Sequence, residues 1–577
     1  MNKNNRLPLR RRAALLGALS PLLLASAAQA QNAPAAAPAA PGFGIGDALK
    51  EGQPQGLPVE RTPPRLRIGE PDQAPLALPG GATLHVERFR IEGDASVADD
   101  EAQAELASLR GRDLSFAQLQ DAALRITALY RRHGLLLARA YLPQQDASDG
   151  TLTIQVLAGR FGVVTVRNAT PVRDSLIAAP FERLPESQAA VSRAALERAM
   201  LLAGELPGAS LPRVTVRPGE TAGSSDFLVE VDAGPRFDGY ALGDNYGSRF
   251  TGHNRLGLGG GVNSPLGLGD RLSASAMVAA GSRLLSGRAA YSLPLNSDGL
   301  RAEVAASKTT YELGAEFNSL RASGESHGAE VNLAQALLRS RDSRIDLKLG
   351  LATRHLVDKV ETDESRTPKR AQTGSLTLGY DDWAEALGRP ARRNASLSYL
   401  QGHLAFDDAA QLADNRKGAD TAGSYARLAA NLGGSIEPLA GWTVVGQLSG
   451  QKALHGKNLD ASEQFAASGA NGVRAYREWI SGDNGWLASA TLRRALPALG
   501  PAAHWIGVFA DSGRVRSQKL WSAAPDGSRL SDAGLAWRAD WGPALMQLQW
   551  ARAIGPRPAS EPTGSRQRLL FQLGTSF

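Results

Sequence analysis

From residue 235 to the last residue, apolar side chains recur at every second position in segments of about ten residues, with Gly, Ser and Asn filling the polar positions. In RIDLKLGLA, Ile345, Leu347, Leu349 and Leu351 share one face, while Asp346 and Lys348 take the other. ASLSYL sets Leu397 and Tyr399 against Ser396 and Ser398, and ALMQLQW sets Met546, Leu548 and Trp550 against Gln547 and Gln549. The final LLFQLGTSF aligns Leu569, Phe571, Leu573, Thr575 and Phe577. A period of two predicts strands with one apolar and one polar face. A solvated sheet has the same period, so the spacing of turns decides. Short connections at NSPLGLGD, LNSDG, RSRDS, AEALGRPAR, SIEPLAG, PALGPA and DWGPA alternate with longer polar loops near 311–323, 355–371, 403–421, 453–483, 516–530 and 553–566. Seven short turns, with both ends of the sheet on the same side, predict sixteen strands at about 21 residues per strand and connection. Short turns on one side and long loops on the other are the pattern of a bacterial outer-membrane β-barrel. Closure of such a sheet pairs every backbone group inside hydrocarbon.

The texture upstream is different. Residues 83–234 read as two small α/β units. The first has a strand at LHVERFRIEG, a helix at LSFAQLQDAALRITALYRRHG, and strands at LLLARAYLP and GTLTIQVLAG. Ser115 is its expected N-cap and Gly134 its stop, with Leu119, Ala122, Ala123, Ile126, Leu129 and Tyr130 on one face. The second repeats the plan with FGVVTVRNA, a helix over SRAALERAMLLAG, RVTVRP and SDFLVEVDAG. Residues 31–82 are rich in Ala, Pro and Gly and read as an extended linker, within which Ile45 to Glu51 predicts about two turns of helix.

The first thirty residues set the compartment. Lys3, Arg6, Arg10, Arg11 and Arg12 precede an apolar run from Ala13 to Ala27, and Ala28-Gln29-Ala30 is a small-x-small cleavage site. This predicts a secretory signal over 1–30, with the mature chain starting at Gln31. Those five cations account for most of the formal charge of +7, so the basic balance gives no reason to expect nucleic acid. The chain has no cysteine, which excludes a disulfide scaffold and a thiolate metal site.

Enzyme signatures are weak. Gly324-Glu325-Ser326-His327-Gly328 matches G-x-S-x-G, but that chemistry needs a strand-turn-helix, and AEVNLAQALL continues as a strand. GLGLGGG lies within a barrel strand and opens no helix, and the eight histidines show no metal-ligand spacing. No enzyme activity, metal or cofactor is expected.

Several stretches together resemble the TpsB transporters of two-partner secretion, the haemolysin/adhesin secretion-activation proteins. They are ALYRRHGLLLARAYLP and LLAGELPG…VRPGETAGSSDF in the α/β units, LGDNYGSRFTGHNRL…NSPLGLGDRL at the barrel entry, GVRAYRE…SGDNG, and VFADSGRV. The resemblance implies two POTRA domains, at 83–160 and 161–234, before a 16-stranded transmembrane barrel over 235–577. It departs from the family at Ala475, where Gly is usual, and at Leu135, where an aromatic is usual. On residues alone, the glycine-rich SGANGVRAYREWISGDNG is a solvated loop with an incidental arginine. The resemblance implies instead that the loop between strands 11 and 12 folds back into the barrel. There Val473, Arg474, Ala475 and Tyr476 form the anchor, and Arg474 pairs with Asp511 on a wall segment that includes Phe509 and Gly513. A helix carrying Ile45, Asp47 and Leu49 would plug the resting pore, although a plain linker explains the composition equally well. Phe577 resembles the signal read by the barrel-assembly machinery, and an aromatic closing a barrel strand at the interface is compatible with it.

The implied function is export of a large partner, a TpsA-like adhesin, cytolysin or haem-binding exoprotein, which the POTRA domains capture. The implied setting is the lipid of the outer membrane, with the POTRA domains in the periplasm and the chain a monomer. A barrel-insertion factor, a passive porin and a surface-anchored POTRA binding platform are the competing readings.

Overall fold

The computed structural model describes residues 43–53, 63–64, 66–69, 83–186, 191–221, 223–521, 527–556 and 565–577. The expected signal peptide and most of the expected linker lie outside them.

Sixteen antiparallel strands close into a barrel, each paired with its neighbours in sequence. They are β1 (Phe237–Asp244), β2 (Arg255–Asn263), β3 (Arg271–Ala279), β4 (Leu284–Pro294), β5 (Leu300–Glu312), β6 (Ala322–Arg339), β7 (Ser343–Val360) and β8 (Ser365–Ala386). Then follow β9 (Arg389–Phe406), β10 (Gly423–Leu439), β11 (Trp442–Leu454), β12 (Asn484–Leu499), β13 (Ala502–Arg516), β14 (Ser528–Trp541), β15 (Ala544–Ala553) and β16 (Gln567–Ser576). The alternation sorts as expected. Leu349, Leu351, Leu397, Tyr399, Leu569, Phe571 and Leu573 are exposed on the outside, where a large apolar belt is stable only against lipid.

The expected loop over 355–371 is instead mostly strand, because β7 runs to Val360 and β8 begins at Ser365. At 18 and 22 residues these strands exceed the roughly 9–11 that a bilayer needs. Their outer ends stand in water, where neither face has to be apolar and no alternation marks them. The seam between β1 and β16 is short, from Tyr240↔Ser576 to Asp244↔Gln572. Gly239 and Phe577 lengthen it by exchanging backbone bonds of 2.9 and 3.0 Å.

Both α/β units form, with differences of detail. The helix Phe116–Arg132 is capped by Ser115, whose side chain accepts from the Gln118 amide while Gln118 reaches back to the Ser115 N–H. The expected strand over 84–93 breaks at Glu87 into Thr83–Val86 and Arg88–Gly93, which join different sheets. The stretch LLLARAYLP is strand only over Arg139–Tyr141. Its first leucines tie the two units together: Leu135 packs in the first core, Leu136 packs in the second, and the Leu136 N–H donates to Val191 O at 3.0 Å. Helices Asp99–Glu105 and Asp174–Glu186 were not expected. Residues Arg67–Gly69, placed in the linker, add a parallel strand to the edge strand Arg213–Pro218 of the second unit.

Phe577 contributes to the seam through its backbone. Deleting it is expected to lower the melting temperature of the refolded barrel more than Phe577→Ala, which keeps both bonds. Equal losses in heat-modifiable gel mobility would contradict this. Equal losses only in cells would point to recognition of the ring during assembly.

Candidate functional site

The connection between β11 and β12, residues 455–483, lies inside the barrel as a self-bonded tongue. Phe465–Ala466 pairs with Ser481–Gly482, and the Ala467 N–H donates to Ile480 O. Ser468 Oγ donates to Glu478 O at 2.6 Å and accepts from the Ile480 N–H at 2.7 Å. Gly469 and Gly472 therefore serve a tight turn within an ordered element, the Gly472 N–H donating to Gly469 O at 2.9 Å. At the tip, Val473, Ala475 and Tyr476 are buried with Phe509, Leu530 and Leu570 of the wall.

Arg474 lies between this apolar tip and a pair of carboxylates. Its Nε is 3.3 Å from Asp511 Oδ2, and its Nη2 donates to Ser489 Oγ at 3.3 Å. Ser489 Oγ in turn donates to Asp511 Oδ1 at 2.6 Å. The guanidinium also stacks over the Phe509 ring, 3.9 Å from its centroid. Gly513 sits one alternation beyond Asp511 on β13, where a Cβ would come 3.2 Å from Ala467 Cβ of the tongue.

Two further wall residues were not anticipated. Asp532 is the cross-strand partner of Asp511, and its Oδ2 accepts from the Ala475 N–H at 2.6 Å. Arg568 donates to the carbonyl oxygens of Tyr476 and Arg474 at 3.0 and 3.4 Å. Ala475 has no left-handed backbone, so the residue that departs from the family needs none of glycine's freedom. Gly534 does need to be glycine, since a Cβ there would lie 2.0 Å from Trp550 O and 2.4 Å from Phe509 Cζ.

The helix α1 (Ile45–Glu51) is also inside the barrel, against β5, β6, β7 and the tongue. Ile45 and Ala48 are fully buried, Asp47 is buried, and Leu49 packs at the margin of the same cluster. Phe43 meets Phe250 and Tyr311 edge-on. Gly46 is pressed against the tongue, with room for no Cβ within 2.4 Å of the Ser462 nitrogen.

Helix and tongue share their polar partners at both ends. Asp358 Oδ1 accepts from the Ile45 N–H at 2.8 Å and from the Tyr311 hydroxyl at 2.7 Å. Lys369 Nζ bridges Asp358 at 3.6 Å and Asp460 of the tongue at 2.9 Å. At the other end the Ser248 N–H donates to Glu51 Oε1 at 2.9 Å, and Ser248 Oγ donates to Glu478 Oε2 at 2.7 Å. Glu463 of the tongue lies between Arg354 and Arg427 of the wall, at 3.4 and 3.1 Å.

A barrel that spans a membrane and carries an ordered loop and a helix in its lumen, with α/β domains preceding it, has the architecture of a polypeptide-translocating pore. Residues 223–535 match the family described as Haemolysin secretion/activation protein ShlB/FhaC/HecB, and residues 84–159 match the POTRA domain, ShlB-type. The heme/hemopexin transporter protein HuxB of Haemophilus influenzae is 25% identical over 76% of this chain and 77% of its own. The outer membrane transporter CdiB of Dickeya dadantii is 22% identical over 78% and 82%. The solved structure of CdiB from Escherichia coli superposes with a TM-score of 0.67 at 19% identity, covering 92% of this chain and 95% of that one. The chain belongs to the haemolysin secretion/activation family, outer-membrane pores that export partner exoproteins by two-partner secretion with their POTRA domains in the periplasm.

Arg474→Ala leaves Asp511 and Asp532 facing each other without their cation and is expected to cost the docked tongue about 3–5 kcal/mol. Secretion is expected to fall sharply while the barrel stays inserted. Asp511→Ala should behave alike, and the double variant should be no worse than either single. Fully additive losses would show that the two residues act separately.

Burial pushes the Asp47 and Glu51 carboxyls above the ordinary range, against the opposing pull of Lys50 on Asp47 and of the Ser248 N–H and Arg255 on Glu51. Asp358, beside Asp47, adds to the rise. The docked helix therefore binds more protons than the released one. Docking is strongest in acid and weakens as pH rises from the ordinary carboxylate range, about 4. In planar bilayers the open fraction is expected to rise as pH is raised above the ordinary carboxylate range. Deleting residues 44–53 should raise conductance and abolish that slope; a flat profile in the intact chain would contradict the linkage.

Proposed function

We propose that this chain exports one large exoprotein, encoded as its partner, and that the tongue and the helix α1 together hold the resting pore closed. The observation that carries the reading is the ion-pair and hydrogen-bond network by which both lumen elements are fastened to the wall and to each other. An exporter must pass an extended chain, yet must not leak between cargoes. Elements fastened by charge-assisted contacts in a polar lumen meet both needs, because water and the passing backbone can replace those contacts as they break.

On this reading the plug is the segment with Ile45, Asp47 and Leu49, and Arg474 with Asp511 is the fastening of the tongue. The unit over 83–160 and the unit over 161–234 act as two POTRA domains that receive the unfolded partner by strand addition. The strand Arg160–Asn168 is the outer strand of the second sheet and offers such an edge. Below the tongue, a lumen cavity of about 370 Å³ is lined by the neutral Gln447, Ser489, Thr491 and Gln547 and by the cations Arg474 and Arg493. Neutral amides and hydroxyls give an extended backbone transient partners without binding it tightly. The cargo classes stay those of the sequence reading, with haem handling represented among relatives by the name of HuxB.

Removal of this chain from its host, followed by assay of the exoprotein in medium and periplasm, tests the proposal. The exoprotein is expected to disappear from the medium while other outer-membrane barrels keep their normal levels. Normal export would overturn the reading, and a general loss of barrels would assign the chain to membrane insertion instead.

A further inference from the structure

The outer surface of β11 to β16 is not uniformly convex. A cavity of about 470 Å³ opens on it, lined by Leu492, Ile506, Val508, Leu535, Leu548 and Leu569 with Trp442, Trp537 and Trp550 at its borders. Leu492, Ile506, Val508, Leu535 and Leu569 are exposed members of the lipid-facing alternation, so the cavity lies in the hydrocarbon belt.

One end of the cavity carries a cation. Arg494 is two residues beyond Leu492 on β12 and therefore shares its outward face. It pairs across the sheet with Trp442, the first residue of β11, beside the short turn that opens the periplasmic side. Its Nη1 donates to Ala440 O at 3.0 Å, and its guanidinium lies 5.2 Å from the Trp442 ring centroid. Both partners are uncharged, and among the described residues no carboxylate pairs with the guanidinium, which lies at the depth where lipid headgroups begin. A guanidinium fork fits phosphate oxygens, and Trp442, at the periplasmic start of its strand, is the aromatic typical of that depth.

We propose that this groove is a specific seat for one anionic phospholipid of the periplasmic leaflet, its phosphate on Arg494 and an acyl chain along Ile506, Val508 and Leu548. The occupant follows from the combination: an apolar channel continuous with the lipid belt, ending in a cation at the headgroup level. The same strands carry Phe509, Asp511 and Asp532 on their inner face, so the lipid backs the wall that holds the tongue.

Native mass spectrometry of the full chain tests the seat, using nanodiscs of phosphatidylethanolamine with added phosphatidylglycerol. The chain is expected to keep one phosphatidylglycerol under activation that strips the others. Arg494→Gln should lower that bound fraction about tenfold or more, the loss expected for a charge-assisted contact. Val508→Trp, which fills the groove and leaves the cation, should lower it comparably. Heat-modifiable gel mobility reports that each variant remains a folded barrel. Equal retention by either folded variant overturns the proposal. Equal retention of diacylglycerol would reduce the groove to an apolar filler, and binding of inorganic phosphate with the same affinity would reduce it to an anion site, each of which also overturns it.

Discussion

The structure depends first on the closure of one sheet. In hydrocarbon an unpaired N–H or C=O costs several kcal/mol, so a sheet that spans a bilayer must have no edge. Here the joint between first and last strands is also the shortest, running from Tyr240↔Ser576 to Asp244↔Gln572. It is lengthened by Gly239 with Phe577 at one end and by the Asn245 side chain, which donates to Leu569 O and accepts from the Phe571 N–H, at the other. The Asn245 N–H also donates to Phe571 O at 3.3 Å, so backbone and side chain together extend the pairing one residue past the end of β1.

Closure then creates the second problem, a lumen whose walls must be polar on one face of every strand. Charges there are partly withdrawn from water and need partners, some of which the wall supplies itself, as in Arg255 with Asp244 and Arg288 with Glu303, and some of which it does not. Asp511 and Asp532 face each other on adjacent strands, and a pair of like charges so placed is unfavourable without a cation. Arg474 supplies it from the tongue. Asp358 and Asp460 are likewise joined only through Lys369, and Glu463 answers Arg354 and Arg427. Tongue and helix are thus the complement of the wall's charge pattern as well as its filling.

The sequence displayed some of these relations and concealed others for physical reasons. Strands within the bilayer were legible because lipid imposes alternation, and the outer ends of β7 and β8 were not, because water imposes none. Helix Asp174–Glu186 carries Pro180, a residue disfavoured in a helix interior, yet the helix forms and its Ile177 and Phe181 are buried in the second core. The strand Arg67–Gly69 is three residues long and takes its structure entirely from the edge it joins. Arg474 and Asp511 stood out through motifs that the chain shares with its family. Asp532 and Arg568 had no such mark: each is one polar residue among many facing a polar lumen, and only the folded register brings them to Ala475 and Tyr476.

Ala475 shows how this register bears on a local departure from the family. What the wall asks of that position is a backbone N–H directed at Asp532, which any residue except proline supplies. Its side chain lies in a buried apolar cluster, where a methyl group adds contact and restricts the freed tongue more than glycine would. The substitution therefore favours the docked tongue through both states, by packing in one and by lost chain entropy in the other. Alanine at this position therefore holds the tongue against the wall more firmly than glycine would.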